Sequence, residues 1–296
     1  MGKSMFCGVG CALATPFADG RIDEKAFIRL IDYQLTGGID ALIVCGTTGE
    51  ASTLTDGEMC DLIISAADRA AGRVPIIAGV GANNTETAVR RTRRAVSAGA
   101  DAVLAVTPYY NKANDEGLIA HFTAIANASE VPVILYNVPK RTGVNLSCET
   151  AMTLFKHPMI QGVKEASSDA GQITNLLKNA GEGAYIYAGN DEMYLPMLSL
   201  GARGVISVTA NVAPGLVKRM SDAFFLGNID EARALHNRLL PLTNALFSDV
   251  NPIPVKAALS MMGLIQNELR LPLTPLSEEK ADTLKKILRE ERLIDR

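Results

Sequence analysis

The chain has 296 residues and a mass of 31.5 kDa, with 48% hydrophobic and 21% charged residues, which excludes a disordered chain or a fibre and allows a sizeable core. Lys+Arg number 29 against 32 Asp+Glu, a formal charge of -3, so there is no excess positive field to hold nucleic acid. No apolar run approaches the roughly 18 residues that span a bilayer, and residues 1–5 lack the apolar stretch of a secretory signal, so a cytoplasmic protein with no membrane partner is expected.

Short apolar runs bounded by turn signals occur at 9–14, 41–45, 75–79, 102–106, 132–136, 160–163, 185–188 and 204–208. Each is continuously apolar rather than alternating, the pattern of a strand buried on both faces of a parallel sheet. Intervening segments such as 24–36, 58–71 and 85–98 carry helical periodicity at a length suited to right-handed crossovers. Eight such units predict an α/β fold, a closed (β/α)8 TIM barrel, whose closure removes the edges an open sheet must protect. After residue 212 the strand pattern ends, and helices are expected at 214–226, 230–246, 255–262 and 278–293. Ser277 is predicted to cap the last of these, with Glu278 and Glu279 in its first turn complementing the helix dipole. The expected division is a catalytic barrel over 1–223 and a C-terminal helical appendage over 224–296. Five scattered cysteines, Cys7, Cys11, Cys45, Cys60 and Cys148, are expected as reduced thiols, and with the distant His121, His157 and His236 they offer no metal set.

In such a barrel the functional groups stand at the C-terminal ends of the strands. Lys164 alone of the twelve lysines follows directly on a strand-like apolar run, with Gly162 and Lys164 on one face and Val163 and Glu165 on the other. Desolvation there lowers an amine's pKa by up to several units, making it a nucleophile toward a carbonyl. A strand-end lysine that snorkels to a carboxylate is the competing reading. Tyr136, one strand earlier, offers a group that both gives and takes protons, although a buried tyrosine more often simply packs. Gly46-Thr47-Thr48-Gly49-Glu50 combines two hydroxyls with glycines that admit a small carboxylate, or is an ordinary capped turn. Arg141 can offer a bidentate fork to a second carboxylate, or be solvated. Two further patterns are set aside: Gly79-Val80-Gly81-Ala82-Asn83-Asn84 lacks the third glycine of a dinucleotide fingerprint and reads as a helix-entry turn, and the arginines at 90, 91, 93 and 94 read as a solvated helix face.

From Ala14-Thr15-Pro16-Phe17 through GTTGE (46–50), VTPYYN (106–111), YNVPKRTG (136–143) and GVKEAS (162–167) to NPIPVKAAL (251–259), the chain resembles the dihydrodipicolinate synthases of the pyruvate-dependent class I aldolase superfamily nearly end to end. The resemblance implies a lyase that condenses pyruvate with L-aspartate 4-semialdehyde for diaminopimelate and lysine synthesis, without metal or organic cofactor. Lys164 matches the Schiff-base lysine, and Thr47 and Thr48 match the threonines that receive the pyruvate carboxylate. Tyr136, Thr48 and a Tyr110 reaching in from a neighbouring subunit match the proton relay, Arg141 the anchor of the semialdehyde carboxylate, and Gly189 and Ile206 positions of the pocket. A homotetramer built from tight dimers is thereby implied. Asp56 and Thr87 depart from the histidine and glutamate that lysine-inhibited relatives commonly carry, although Asn83 and Tyr109 match, so weak or absent lysine feedback is expected. The alternatives are another pyruvate aldolase, such as an N-acetylneuraminate lyase or a 2-keto-3-deoxy sugar-acid aldolase, and a barrel that binds carboxylates without turnover.

Overall fold

The computed structural model describes residues 5–181 and 183–295. Strands β1 (Gly8–Ala12), β2 (Ala41–Val44), β3 (Ile76–Gly79), β4 (Ala102–Val106), β5 (Val133–Asn137), β6 (Ile160–Glu165), β7 (Tyr185–Ala188) and β8 (Gly204–Ser207) pair in parallel, each with the next. Pairing of β8 with β1 closes the barrel. A small antiparallel pair, Phe17–Ala18 with Arg21–Ile22, follows β1.

The unbroken apolar runs are explained by the two clusters they feed. Along β2 to β5, Leu42, Val44, Ile76, Ala78, Val103, Ala105, Val133 and Leu135 pack outward against the helices. Between them Ile43, Ile77, Ala102, Leu104, Ile134 and Tyr136 fill the barrel interior. A strand with apolar neighbours on both sides has no polar alternation to show. Phe6 stacks on Tyr187 with ring centroids 4.4 Å apart and accepts a hydrogen bond from its hydroxyl at 2.9 Å, plugging the end of the barrel where the strands begin. Gly10 makes room for the plug, since a Cβ there would come within 2.6 Å of the Phe6 ring.

The outer ring runs through α1 (Glu24–Thr36), α2 (Asp56–Ala70), α3 (Thr85–Ser97), α4 (Asp115–Asn127), the single turn α5 (Pro139–Thr142), α6 (Cys148–Leu154), α7 (Ala170–Asn179), α8 (Tyr194–Ser199) and α9 (Pro214–Phe225). Asp23, Thr55, Asn84, Asn114, Ser147 and Asp169 each accept a backbone N–H at a helix start, and Thr55 with Glu58 forms a reciprocal capping box. The stretch 79–84 is therefore the entry to α3, as expected. Helices α10 (Ile229–Leu246), α11 (Ile253–Met261) and α12 (Glu278–Glu290) form the C-terminal part. Ser277 occupies the start of α12 in extended geometry, but its side chain makes no capping hydrogen bond, so only Glu278 and Glu279 serve that end. The helix also stops at Glu290 rather than 293, where Arg292 turns left-handed at φ 58°; Leu293 and Ile294 pack on the core from outside it. Among the described residues, no helix is long and apolar enough to cross a membrane, and the five cysteines are free.

Candidate active site

Lys164 owes its direction to an irregularity. In the pairing of β5 with β6, Val133 lies opposite Ile160 but Ile134 lies opposite Gly162, so Gln161 is an extra residue. Ile160 packs outward, and without the extra residue strict alternation would send Lys164 outward with it. The bulge moves the phase by one, turning Gly162 and Lys164 inward while Val163 stays in the outer cluster. Beyond it Tyr136, Lys164 and Tyr187 stand at one level on three adjacent strands. Lys164 is 6% exposed, and its Nζ lies 4.4 Å from the centre of the Tyr136 ring. No carboxylate forms an ion pair with it among the described residues, so the snorkelling alternative does not hold.

The loop after β2 is built for close approach. Gly49 gives its carbonyl to the Thr15 hydroxyl at 2.8 Å, and a Cβ at Gly49 would press within 3.2 Å of the Leu13 carbonyl. Glu50 then turns left-handed, φ 54°, into a short 3-10 turn over Ala51–Thr53. Thr48 is 2% exposed and its Oγ1 accepts Asn251 Nδ2 at 3.0 Å, while Thr47 is half-buried and reaches the adjoining cavity. The loop is pinned from behind by an ion pair between Glu50 and Lys256 at 2.6 Å, with side chains 1% and 0% exposed.

A cavity of about 250 Å³ opens beside these groups, lined by Thr47, Tyr136 and Arg141 together with Cys45, Tyr109 and Arg91. Thr48, Lys164, Gly189 and Ile206 do not line it; they are buried around the interior that Tyr136 separates from it. Arg141 comes from the one-turn helix α5, opened by Pro139 and closed by Gly143 at φ 69°. Its Nη2 donates to the Asn251 carbonyl at 3.1 Å and the rest of the guanidinium stays exposed. Burial pushes the Cys45 thiol up to about 12, so no thiolate competes with the amine as nucleophile. Arg91 corrects the reading of 90–94 as a merely solvated face: with Arg90 and Arg94 it converges on Asp56, at 2.9, 3.2 and 3.3 Å respectively, and it reaches the cavity.

On the far wall, Gly189 is buried and donates its N–H to the Glu165 carbonyl at 2.7 Å; a Cβ there would strike Ala166 at 2.6 Å. Ile206 is wholly buried in the interior cluster with Tyr136. Asp191 is buried close by, held by the Ser207 hydroxyl and by Val208 N–H at 2.9 Å; burial raises its pKa, and the charge of Lys164 opposes that rise. Tyr110 is the predicted group that does not join the others within the chain. It is 90% exposed, on backbone at φ 74°. Asn251 and Lys256, which brace the carboxylate loop, were not singled out from the sequence. A signal existed for Lys256: α11 is apolar all round it, which marks a buried helix.

The dihydrodipicolinate synthetase family model matches residues 5–291. A 4-hydroxy-tetrahydrodipicolinate synthase of Alkaliphilus oremlandii is 48% identical over 290 residues, covering 98% of this chain and 100% of that protein. Among solved structures, dihydrodipicolinate synthase from Thermotoga maritima is 42% identical with a TM-score of 0.96, covering 98% of this chain and 100% of that one. The chloride-inhibited dihydrodipicolinate synthase of Acinetobacter baumannii, solved with pyruvate, is 43% identical with a TM-score of 0.96 and the same coverage, 98% and 100%.

Proposed function

This chain belongs to the dihydrodipicolinate synthetase family, and from that premise we propose how its residues carry out the 4-hydroxy-tetrahydrodipicolinate synthase reaction, a lyase activity that joins pyruvate to L-aspartate 4-semialdehyde for diaminopimelate and lysine synthesis. That activity, rather than sialic acid or sugar-acid aldol cleavage, is the one the full-length relatives carry. Lys164 Nζ, uncharged, attacks C2 of pyruvate, and the carbinolamine loses water to leave an imine. The protonated imine draws electrons from the C3 methyl group, which gives up a proton to become an enamine. Its C3 attacks the aldehyde carbon of the second substrate, whose oxygen takes up a proton. The amine of that substrate then adds to C2 and expels the lysine amine, closing the ring; one water leaves overall. Because the protonated imine is the electron sink, the route requires no metal and no organic cofactor.

Thr47 and Thr48 receive the pyruvate carboxylate, and Arg141 receives that of the semialdehyde. Tyr136 and Thr48 pass the protons of carbinolamine formation and dehydration, while Gly189 and Ile206 wall the pocket. Tyr110 completes the relay of a neighbouring subunit within a homotetramer of tight dimers. Its exposure and left-handed backbone support this, because an aromatic side chain held at a conformation costing roughly 1–3 kcal/mol gains nothing from its own chain. Free cysteines and a biosynthetic role favour the cytoplasm.

The observation that carries this reading is the enclosure of Lys164 inside a closed barrel, above the Tyr136 ring and without a carboxylate partner among the described residues. Borohydride reduction in the presence of pyruvate, followed by peptide mass mapping, is expected to label Lys164 alone. Lys164→Arg is expected to give no adduct and negligible turnover with the semialdehyde. A label on another lysine, or full turnover by Lys164→Arg, refutes the reading; pyruvate bound without an adduct favours a carboxylate-binding protein.

A further inference from the structure

Asn251 belongs to the segment leading into α11, some two hundred positions from the threonine loop, yet it touches two of the groups assigned to substrate. Its side-chain Nδ2 donates to Thr48 Oγ1 at 3.0 Å, and its main-chain carbonyl accepts from Arg141 Nη2 at 3.1 Å. The residue is 7% exposed, and its Oδ1 is buried without a hydrogen-bond partner among the described residues. A carboxamide kept only for stability would be expected to use both ends, since an unpaired buried acceptor is unfavourable.

A threonine hydroxyl has one proton to give and two lone pairs to receive. With Nδ2 occupying a lone pair of Thr48, the hydroxyl proton points away from Asn251 and remains for a ligand. Pyruvate offers only oxygen acceptors to this loop, so a donor at Thr48 is what it needs. An acceptor in place of the amide nitrogen would draw that proton the other way. Arg141, by contrast, is stationed by the carbonyl of the same residue, a contact that survives any change of side chain.

We propose that Asn251 is a positioning residue: its carboxamide aims the Thr48 proton at the keto acid while its backbone carbonyl stations Arg141 for the second substrate. This rests on the function proposed above. The two roles separate by mutation. Asn251→Ala is expected to raise the KM for pyruvate roughly 5- to 20-fold, the effect of one lost hydrogen bond to a charged ligand, with the KM for the semialdehyde within about twofold of wild type. Asn251→Asp, which presents an acceptor to Thr48, is expected to raise the pyruvate KM further. Adding Thr48→Val to Asn251→Ala is expected to cause little extra loss, because both act through one hydroxyl.

Pyruvate-dependent borohydride labelling of Lys164 is measured alongside, for wild type and variants, so that binding is read even where turnover is too slow to follow. Pyruvate KM unchanged in both variants, equal rises for both substrates, or strict additivity with Thr48→Val overturns the assignment. Asn251→Ser keeps a small donor, so its labelling curve must lie between wild type and Asn251→Ala; a curve no better than that of alanine also counts against it. A wild-type enzyme that forms no adduct sinks the proposed function itself, whereas a wild type that labels normally and variants that match it sink only the role of Asn251.

Discussion

Replacing Lys256 by methionine tests whether the buried pair behind the threonine loop stabilises the fold. Glu50 Oε1 meets Lys256 Nζ at 2.6 Å, and Glu50 Oε2 accepts only the Arg270 N–H, at 3.0 Å. Lys256 Nζ also lies 4.2 Å from the centre of the Phe17 ring. Burial pulls the ammonium below its ordinary pKa, and the hydrogen bond and charge of Glu50 oppose that fall. Removing the ammonium leaves a carboxylate at 1% exposure with a single neutral donor, which costs about 3–5 kcal/mol. Set against a typical total of about 5–15 kcal/mol, that loss lowers the melting temperature by roughly 10 °C. Adding Glu50→Gln removes the stranded charge, so Lys256→Met with Glu50→Gln should recover more than half of the loss. Urea unfolding followed by far-UV circular dichroism, at one protein concentration, measures all four members of the cycle. A single-variant loss under about 1 kcal/mol, or a double variant that merely sums the two singles, refutes the reasoning.

His121 is buried on α4 with Nδ1 2.9 Å from the Thr85 hydroxyl, and burial lowers its pKa to about 4. Below pH about 6.5 the unfolded chain binds the proton that the folded one refuses, so stability should fall by up to about 3 kcal/mol as pH drops from 6.5 to 4. His121→Asn should flatten that limb in urea titrations, and an identical slope in wild type and variant counts against it. Tyr110→Phe should reduce kcat roughly 10- to 100-fold while retaining borohydride labelling of Lys164. Activity should return when Tyr110→Phe and Lys164→Arg chains are refolded together, because one hybrid site then carries both groups; no recovery refutes a shared site. Lysine at millimolar concentration should leave the rate unchanged, because three guanidiniums converge on Asp56 and Arg90 also reaches the Thr87 hydroxyl at 3.5 Å, a surrounding that repels an added ammonium. Half-inhibition below a millimolar would refute this.

The barrel is legible because strand and helix periods differ and because each strand is apolar on two faces. The runs at 102–106 and 185–188 coincide with β4 and β7, and the others differ by one or two residues at an end. The misses have physical reasons. Leu293 and Ile294 extend the apolar period of α12 past a left-handed turn at Arg292, so hydrophobic spacing outlasts the helix. Ser277 has a capping residue's identity and backbone, but its hydroxyl makes no bond to the helix. Arg91 belongs to a run of like charges, yet a carboxylate 35 positions earlier draws it into the wall of a cavity. Each outcome turns on a tertiary partner, which a local window does not contain.

The site divides along the same line. Groups that sit at strand ends were found by looking at strand ends, and Lys164, Tyr136, Thr48 and Ile206 are all buried there. Their support comes from elsewhere: Asn251 and Lys256 are contributed by the C-terminal helical part, more than two hundred positions from Thr48 and Glu50. Even the direction of Lys164 is a tertiary property. Counted from Ile160, simple alternation would aim the amine at the surrounding helices, into apolar packing where it meets neither carboxylate nor water. The extra residue at Gln161 reverses that, and nothing in the composition of the strand announces it. Deleting Gln161 should therefore return Lys164 to the outer face, at the price of burying an ammonium among Val163 and its neighbours. The expected result is a barrel that is strongly destabilised and gives no pyruvate adduct on borohydride reduction. A stable deletion variant that still labels at this lysine would show that the bulge does not set the direction of the nucleophile.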